Sequence, residues 1–138
     1  MTTPYTNQHQ QLVEIPVINS VLNQLPLTSL TNITSTVMTV ADGLPDGDFI
    51  YLDLANDAMS PELPHDTRVL VQCQDRVAND SLAAVSFGRE IKVGRVTELP
   101  NGWILSFDNP LYQPAFISPN SSKINFIGRI IRSIRTYS

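Results

Sequence analysis

At 138 residues, 42% of them hydrophobic, the chain suits one domain with a real core, and the length argues against two. A net charge of −4 excludes a protein whose main business is neutralising phosphates, so no direct nucleic-acid binding is expected, although action beside DNA-binding proteins stays open. Its apolar runs, such as Val69-Leu70-Val71, fall far short of the roughly 20 residues a membrane helix needs, and Met1 opens into polar Thr, Asn and Gln instead of a signal sequence. A cytoplasmic protein without membrane contact is the expectation.

Residues 1–11 are polar with no apolar period and read as a flexible arm, which leaves 12–138 as the domain. Ten Pro and six Gly spread along the chain, with few long helical patterns, point to a turn-rich and mainly β structure. Leu12 to Ile18 is a short strand whose Pro16 suggests an edge. From Asn19 to Asp48 only a strand over Thr36 to Val40 is legible. Asp48 to Leu54 is β-rich, Ser60 to Pro64 reads as an irregular turn, and Arg68 to Gln72 and Ser81 to Ser86 are further strands.

Phe87-Gly88-Arg89 turns the chain into Glu90 to Val96, where Ile91, Val93 and Arg95 share one face and Lys92, Gly94 and Val96 the other. Pro100-Asn101-Gly102 is a second turn, feeding a strand over Trp103 to Phe107. A loop at Asn109 to Pro114 follows. Lys123 to Ile134 closes the chain as an apolar strand, with a bulge or bend at Gly128. The basic Arg129, Arg132 and Arg135 suit a solvated edge that discourages strand-to-strand aggregation.

Cys73 is alone, which excludes an intrachain disulfide, and its place between Val71 and Val77 suggests a half-buried strand thiol. His9 falls in the polar arm and His65 in a turn, and no Cys or His pair has metal-ligand spacing. Neither metal nor cofactor is expected.

The segment Asn56-Asp57-Ala58-Met59-Ser60-Pro61 carries the most information. It resembles the Gly-Asp-Ser-Met-x-Pro box at a strand end in the peptidase domain of LexA repressors, UmuD mutagenesis proteins and phage repressor C-terminal domains, a β fold akin to signal peptidase. Further pieces follow in the family's order. His65-Asp66-Thr67-Arg68-Val69-Leu70-Val71 is similar to its Asp-Gly-Asp turn and strand, with Asp66 in place of the glycine. Leu82 to Val85, Glu90 to Val96, Asn109 to Pro114 and Phe126 to Ile131 each resemble the family piece in that place. The likeness runs from Ile15 to Ile134, with Asn19 to Asp48 aligned by length only.

The resemblance implies a serine that attacks a peptide bond and a buried neutral lysine that takes its proton. Here Ala58 holds the serine's place, and the family pattern counted from Glu90 puts the lysine on Gly94. Lys92, two residues away, is the residual candidate for a base. The implied cleavage region falls at Asn23, Gln24 and Leu25, where no Ala-Gly or Cys-Gly pair occurs. The expectation is a pseudo-peptidase acting through protein contacts, not an enzyme.

Around that degenerate site, Asp57 reads as a turn former, Met59 as a core plug, and Asn109 and Tyr112 as loop-fixing residues beside the groove. The family resemblance also implies a homodimer through the C-terminal strand, with Ile127, Ile130 and Ile131 at the interface. The short arm resembles UmuD more than LexA, which implies a partner such as a translesion polymerase or a RecA filament in the DNA-damage (SOS) response. Two alternatives are a decoy or co-regulator pairing with a phage or SOS repressor C-terminal domain, and a serine autopeptidase carrying a Ser-to-Ala substitution.

Overall fold

The computed structural model describes residues 11–23 and 29–135. The polar arm expected over 1–11 therefore lies, Gln11 apart, outside the described residues. The domain is mainly β: β1 (Leu12–Asn19), β2 (Ile33–Val40), β3 (Phe49–Asp53), β4 (Thr67–Cys73), β5 (Leu82–Phe87), β6 (Glu90–Leu99), β7 (Gly102–Ser106), β8 (Ala115–Ile117) and β9 (Ile124–Arg135), with one 3-10 turn at Leu30–Asn32. They form one mixed sheet in the order β2-β1-β3-β4-β9-β5-β6-β7-β8. No described helix is long and apolar enough to cross a membrane.

Side-chain alternation along these strands divides the core. Leu52, Val69, Val71, Ile91 and Val93 meet in one cluster with Met59 and Ile127. Their sequence neighbours point the other way. Val17, Tyr51 and Leu70 build a second cluster at the β1-β3-β4 end, and Ala83, Val85, Val96 and Leu105 a third at the β5-β7 end.

Strand β9 lies between β4 and β5, which corrects the expectation of a solvated outer edge. It pairs on both sides because the register slips twice: Leu70 faces Arg132 while Val71 faces Ile130, and Ala84 faces Gly128 while Val85 faces Phe126. Each slip leaves one extra residue on β9, as a β-bulge does. Gly128 permits the close approach, since a Cβ there would run into the backbone of Gln72 and Cys73.

Ile127 is 8% exposed inside the first cluster, and Ile130 and Ile131 pack against the first and second. Of the three isoleucines expected at a dimer interface, Ile127 is buried, and Ile130 and Ile131 are half-buried. Of β9's apolar side chains, Ile134 is the exposed one.

β1 is likewise no edge strand, as it lies between β2 and β3. Its Pro16 is accommodated because β3 pairs only with Val17 to Asn19. Leaving β1, the chain runs along the exposed side of β6. Leu22 N–H donates to Arg89 O and Ile91 N–H to Ser20 O, both at 2.7 Å, and Val21 bridges Glu90 in antiparallel sense. Leu22 is 2% exposed in the first cluster; burying such a side chain contributes about 1.5–3 kcal/mol. The segment covers the start of β6 because β7 pairs only with Arg95 to Leu99.

Candidate functional site

The site is built where β3 stops. Leu54 still donates to Thr67 O at 3.0 Å, and the next residues turn away from the sheet. The Oδ1 of Asn56 accepts the backbone N–H of Ala58 at 2.9 Å, an Asx turn that fixes the box from within. Met59 is buried, its sulfur accepting from Asp108 N–H at 3.4 Å, and its carbonyl accepts from Leu63 N–H at 2.8 Å. Met59 is therefore part of the core.

The loop after β7 clamps this turn. Asn109 N–H donates to Ala58 O at 2.9 Å, and Asn109 Nδ2 donates to Asp57 O at 3.0 Å. Tyr112 donates its phenolic hydrogen to Asp57 Oδ1 at 2.8 Å. That bond pushes the Tyr112 phenol above its ordinary pKa. The Asp57 side chain thus serves Tyr112, while its carbonyl takes the turn bond from Ser60 N–H at 3.0 Å.

A second tie crosses the same ground. Arg95 on β6 grips Asp108 through Nε at 3.0 Å and Nη2 at 3.3 Å, and the same Nη2 reaches the Glu62 carboxylate. The guanidinium holds the Asp108 carboxyl below the usual carboxylate range. Sequence reasoning missed both this clamp and the Asn56 turn. An Asn two residues before the Ala of a turn was a readable Asx signal; the Arg95, Glu62 and Asp108 meeting depends on tertiary pairing.

Between the box and the start of β6 lies a cavity of about 280 Å³. Ala58, 6% exposed, lines it together with Met59, Leu52, Ile91, Val93 and Phe107. Ser20 from the strand-like segment, Asn56, Lys92 and Tyr112 form polar parts of its lining. Asp66, which stands where the resembling family has glycine, adopts φ +73°, a left-handed conformation that Asp tolerates better than most residues.

On β6, the position that the family pattern assigns to the lysine faces away from the cavity. Gly94 shares its strand face with Val96 of the third cluster, and a Cβ built on it would lie 2.6 Å from Ser106 O and 2.9 Å from Leu105 Cγ. A side chain there would be aimed at β7. The residues of β6 that pack in Met59's cluster are Ile91 and Val93. Lys92 contributes to the cavity lining, but its Nζ sits 5.5 Å from the centre of the Phe87 ring, a cation–π contact.

Of the expected cleavage region, Gln24 and Leu25 lie outside the described residues. Asn23 is tied by its N–H to Asn32 Oδ1 at 2.7 Å and by its Nδ2 to Thr31 O at 2.5 Å, and its carbonyl accepts from Arg89 Nη1 at 3.2 Å. The cavity-lining residue of that segment is Ser20 instead. Cys73 is half-buried at the end of β4, and burial followed by Asp48 pushes its thiol up. Among the described residues no three His, Cys, Asp or Glu side chains come together as a metal site would require.

A strand-end box clamped beside a cavity, with an extended segment of the chain laid along the neighbouring strand, defines a peptidase-type β scaffold. The family described as Peptidase S24-like matches residues 6–131, and the chain belongs to it.

Proposed function

We propose that this S24-like domain does not cleave peptides and works through protein contacts. One observation carries the reading: Ala58 puts a methyl group at the cavity where the family chemistry calls for a hydroxyl, and by resemblance the amine's place falls on Gly94, beside the cavity-lining and equally alkyl Val93. A methyl group cannot form an acyl intermediate, and neither Gly94 nor Val93 has a side-chain group that can accept a proton. The Ala58 N–H, the type of donor that stabilises an oxyanion, is taken by Asn56. A laboratory Ser-to-Ala change would account for Ala58 alone, so the lack of an amine at Gly94 favours loss of the chemistry over a blocked enzyme.

By resemblance to UmuD, the contacts are with a translesion polymerase or a RecA filament in the response to DNA damage. The acidic balance of −4 fits a protein that meets such partners and not the nucleic acid itself. Co-sedimentation with RecA assembled on single-stranded DNA, and separately with a Y-family polymerase, tests this. Migration with either is expected. Migration with neither, and with a repressor C-terminal domain instead, would move the protein to the decoy role.

A further inference from the structure

Resting on the reading that this domain works through protein contacts, we propose that the face of the sheet carrying Arg129 and Arg132 docks an extended segment of a partner protein with carboxylates at alternate positions. Charge is divided along the chain. Eight Asp or Glu and no Lys or Arg precede Arg68, and from Arg68 onward nine Lys or Arg outnumber five Asp or Glu. The fold keeps that division, because β2, β1 and β3 form one end of the sheet and β4 to β9 the rest. A net charge of −4 therefore conceals a positive region open to an anionic partner.

The two register slips of β9 concentrate that charge. Residues three apart in a regular strand point to opposite faces. Here Arg129 faces Gln72 and Arg132 faces Leu70, and Gln72 and Leu70, two apart on β4, share a side. In the same way Phe126 faces Val85 and Arg129 faces Ala83, again two apart, on β5. Phe126, Arg129 and Arg132 thus stand on one face. Both arginines are exposed, and the β4 residues they face lie about 7 Å apart along the strand. The ion pairs among the described residues engage Arg68, Arg95 and His65, which leaves Arg129 and Arg132 without a carboxylate.

The occupant follows from this spacing and from what the aromatic neighbours already do. Alternate side chains of an extended chain lie on one side about 7 Å apart, so two carboxylates flanking one residue meet the two guanidinium groups together. Each carboxylate can then be gripped by two parallel N–H groups. Nucleic acid fits less well. Phe126 is half-buried and packs edge-on against Trp103 at 5.2 Å, while Arg76 sits 6.0 Å over the Trp103 ring and Lys92 5.5 Å over the Phe87 ring. Cations thus lie where bases would stack.

Fluorescence anisotropy of the full chain with a labelled peptide of alternating Glu and Thr tests this. Binding is expected at low salt and should weaken as salt screens the charges, and the same peptide with Gln in place of Glu should not bind. Arg129→Glu with Arg132→Glu should weaken binding about tenfold or more at an unchanged melting temperature, and Arg129→Gln with Arg132→Gln should weaken it in the same direction. Arg89→Glu with Lys123→Glu, an equal change of charge elsewhere, should weaken it by about twofold at most. No binding by the wild type, an equal loss in the two Glu double variants, or a thymidine oligonucleotide that binds the same arginines more tightly than the peptide would overturn the proposal. If the wild type co-sediments with RecA or the polymerase while the peptide does not bind, this face is struck and the protein-contact reading stands.

Discussion

Asn109 donates its backbone N–H to the carbonyl of Ala58 at 2.9 Å, so the loop after β7 holds the box at the residue where a nucleophile would stand. The Asn109 side chain adds the bond to Asp57 O and accepts Leu111 N–H at 3.0 Å. Replacing it with Ala removes two part-buried side-chain hydrogen bonds, each contributing about 0.5–1.5 kcal/mol. Denaturant unfolding of Asn109→Ala should show that loss, with hydrogen exchange rising from Asp57 to Ser60. Tyr112→Phe, which cuts one exposed bond, should cost less.

Substitutions on β6 separate the position that the family pattern assigns to the base, Gly94, from the cavity-lining Val93. Ala58→Ser alone should stay inert to a fluorophosphonate probe, since no amine stands ready to activate the hydroxyl. Adding Val93→Lys should produce labelling that rises with pH, as the lysine enters an apolar wall that lowers its pKa. Adding Gly94→Lys should not, and that variant should melt lower, because its Cβ would collide with the β7 backbone.

Much of the sheet was readable because its strands are short β-rich runs between turn residues, as in Ser81 to Ser86 and Glu90 to Val96, where the alternation of Ile91 and Val93 against Gly94 and Val96 is plain. Which face meets Ala58 was not readable, because it depends on how β6 lies against the box across thirty intervening residues. The β9 edge was misjudged for a related reason, since its two register slips exist only through β4 and β5. The full extent of β2 from Ile33, and the short β8, lacked a local signal: one is diluted by Thr and Ser, and the other is three residues long. Within the site, Met59 and Asn109 were legible by type, whereas the Arg95 clamp was not.

The Arg95–Asp108 pair predicts an acid limb. Asp108 is depressed in the folded state, so its contribution is present above the unfolded carboxylate value of about 4 and is lost as pH falls through the lower folded value. Both groups are partly exposed, so about 1 kcal/mol or less is at stake. Arg95→Gln should flatten the stability curve of the protein below pH 4 by that amount. Tyr112 behaves oppositely: its raised value contributes stability below the unfolded phenol value of about 10, which is lost as pH climbs through the folded value.

Leu22 anchors the segment along β6. Leu22→Ala should cost about 2–5 kcal/mol and speed exchange of the Ile91 amide, which donates to Ser20 O. Unchanged exchange at Ile91 would mean that the segment is held without that side chain.

The central claim is that the cleft holds no peptidase chemistry, and the intact mass of the purified protein tests it most directly. Incubation near pH 10 deprotonates a substantial share of ordinary lysines and so favours any lysine-assisted self-cleavage. After days at that pH the account predicts one species of full mass. A pair of fragments split within the segment from Ser20 to Leu25, in a protein free of other proteases, would contradict it.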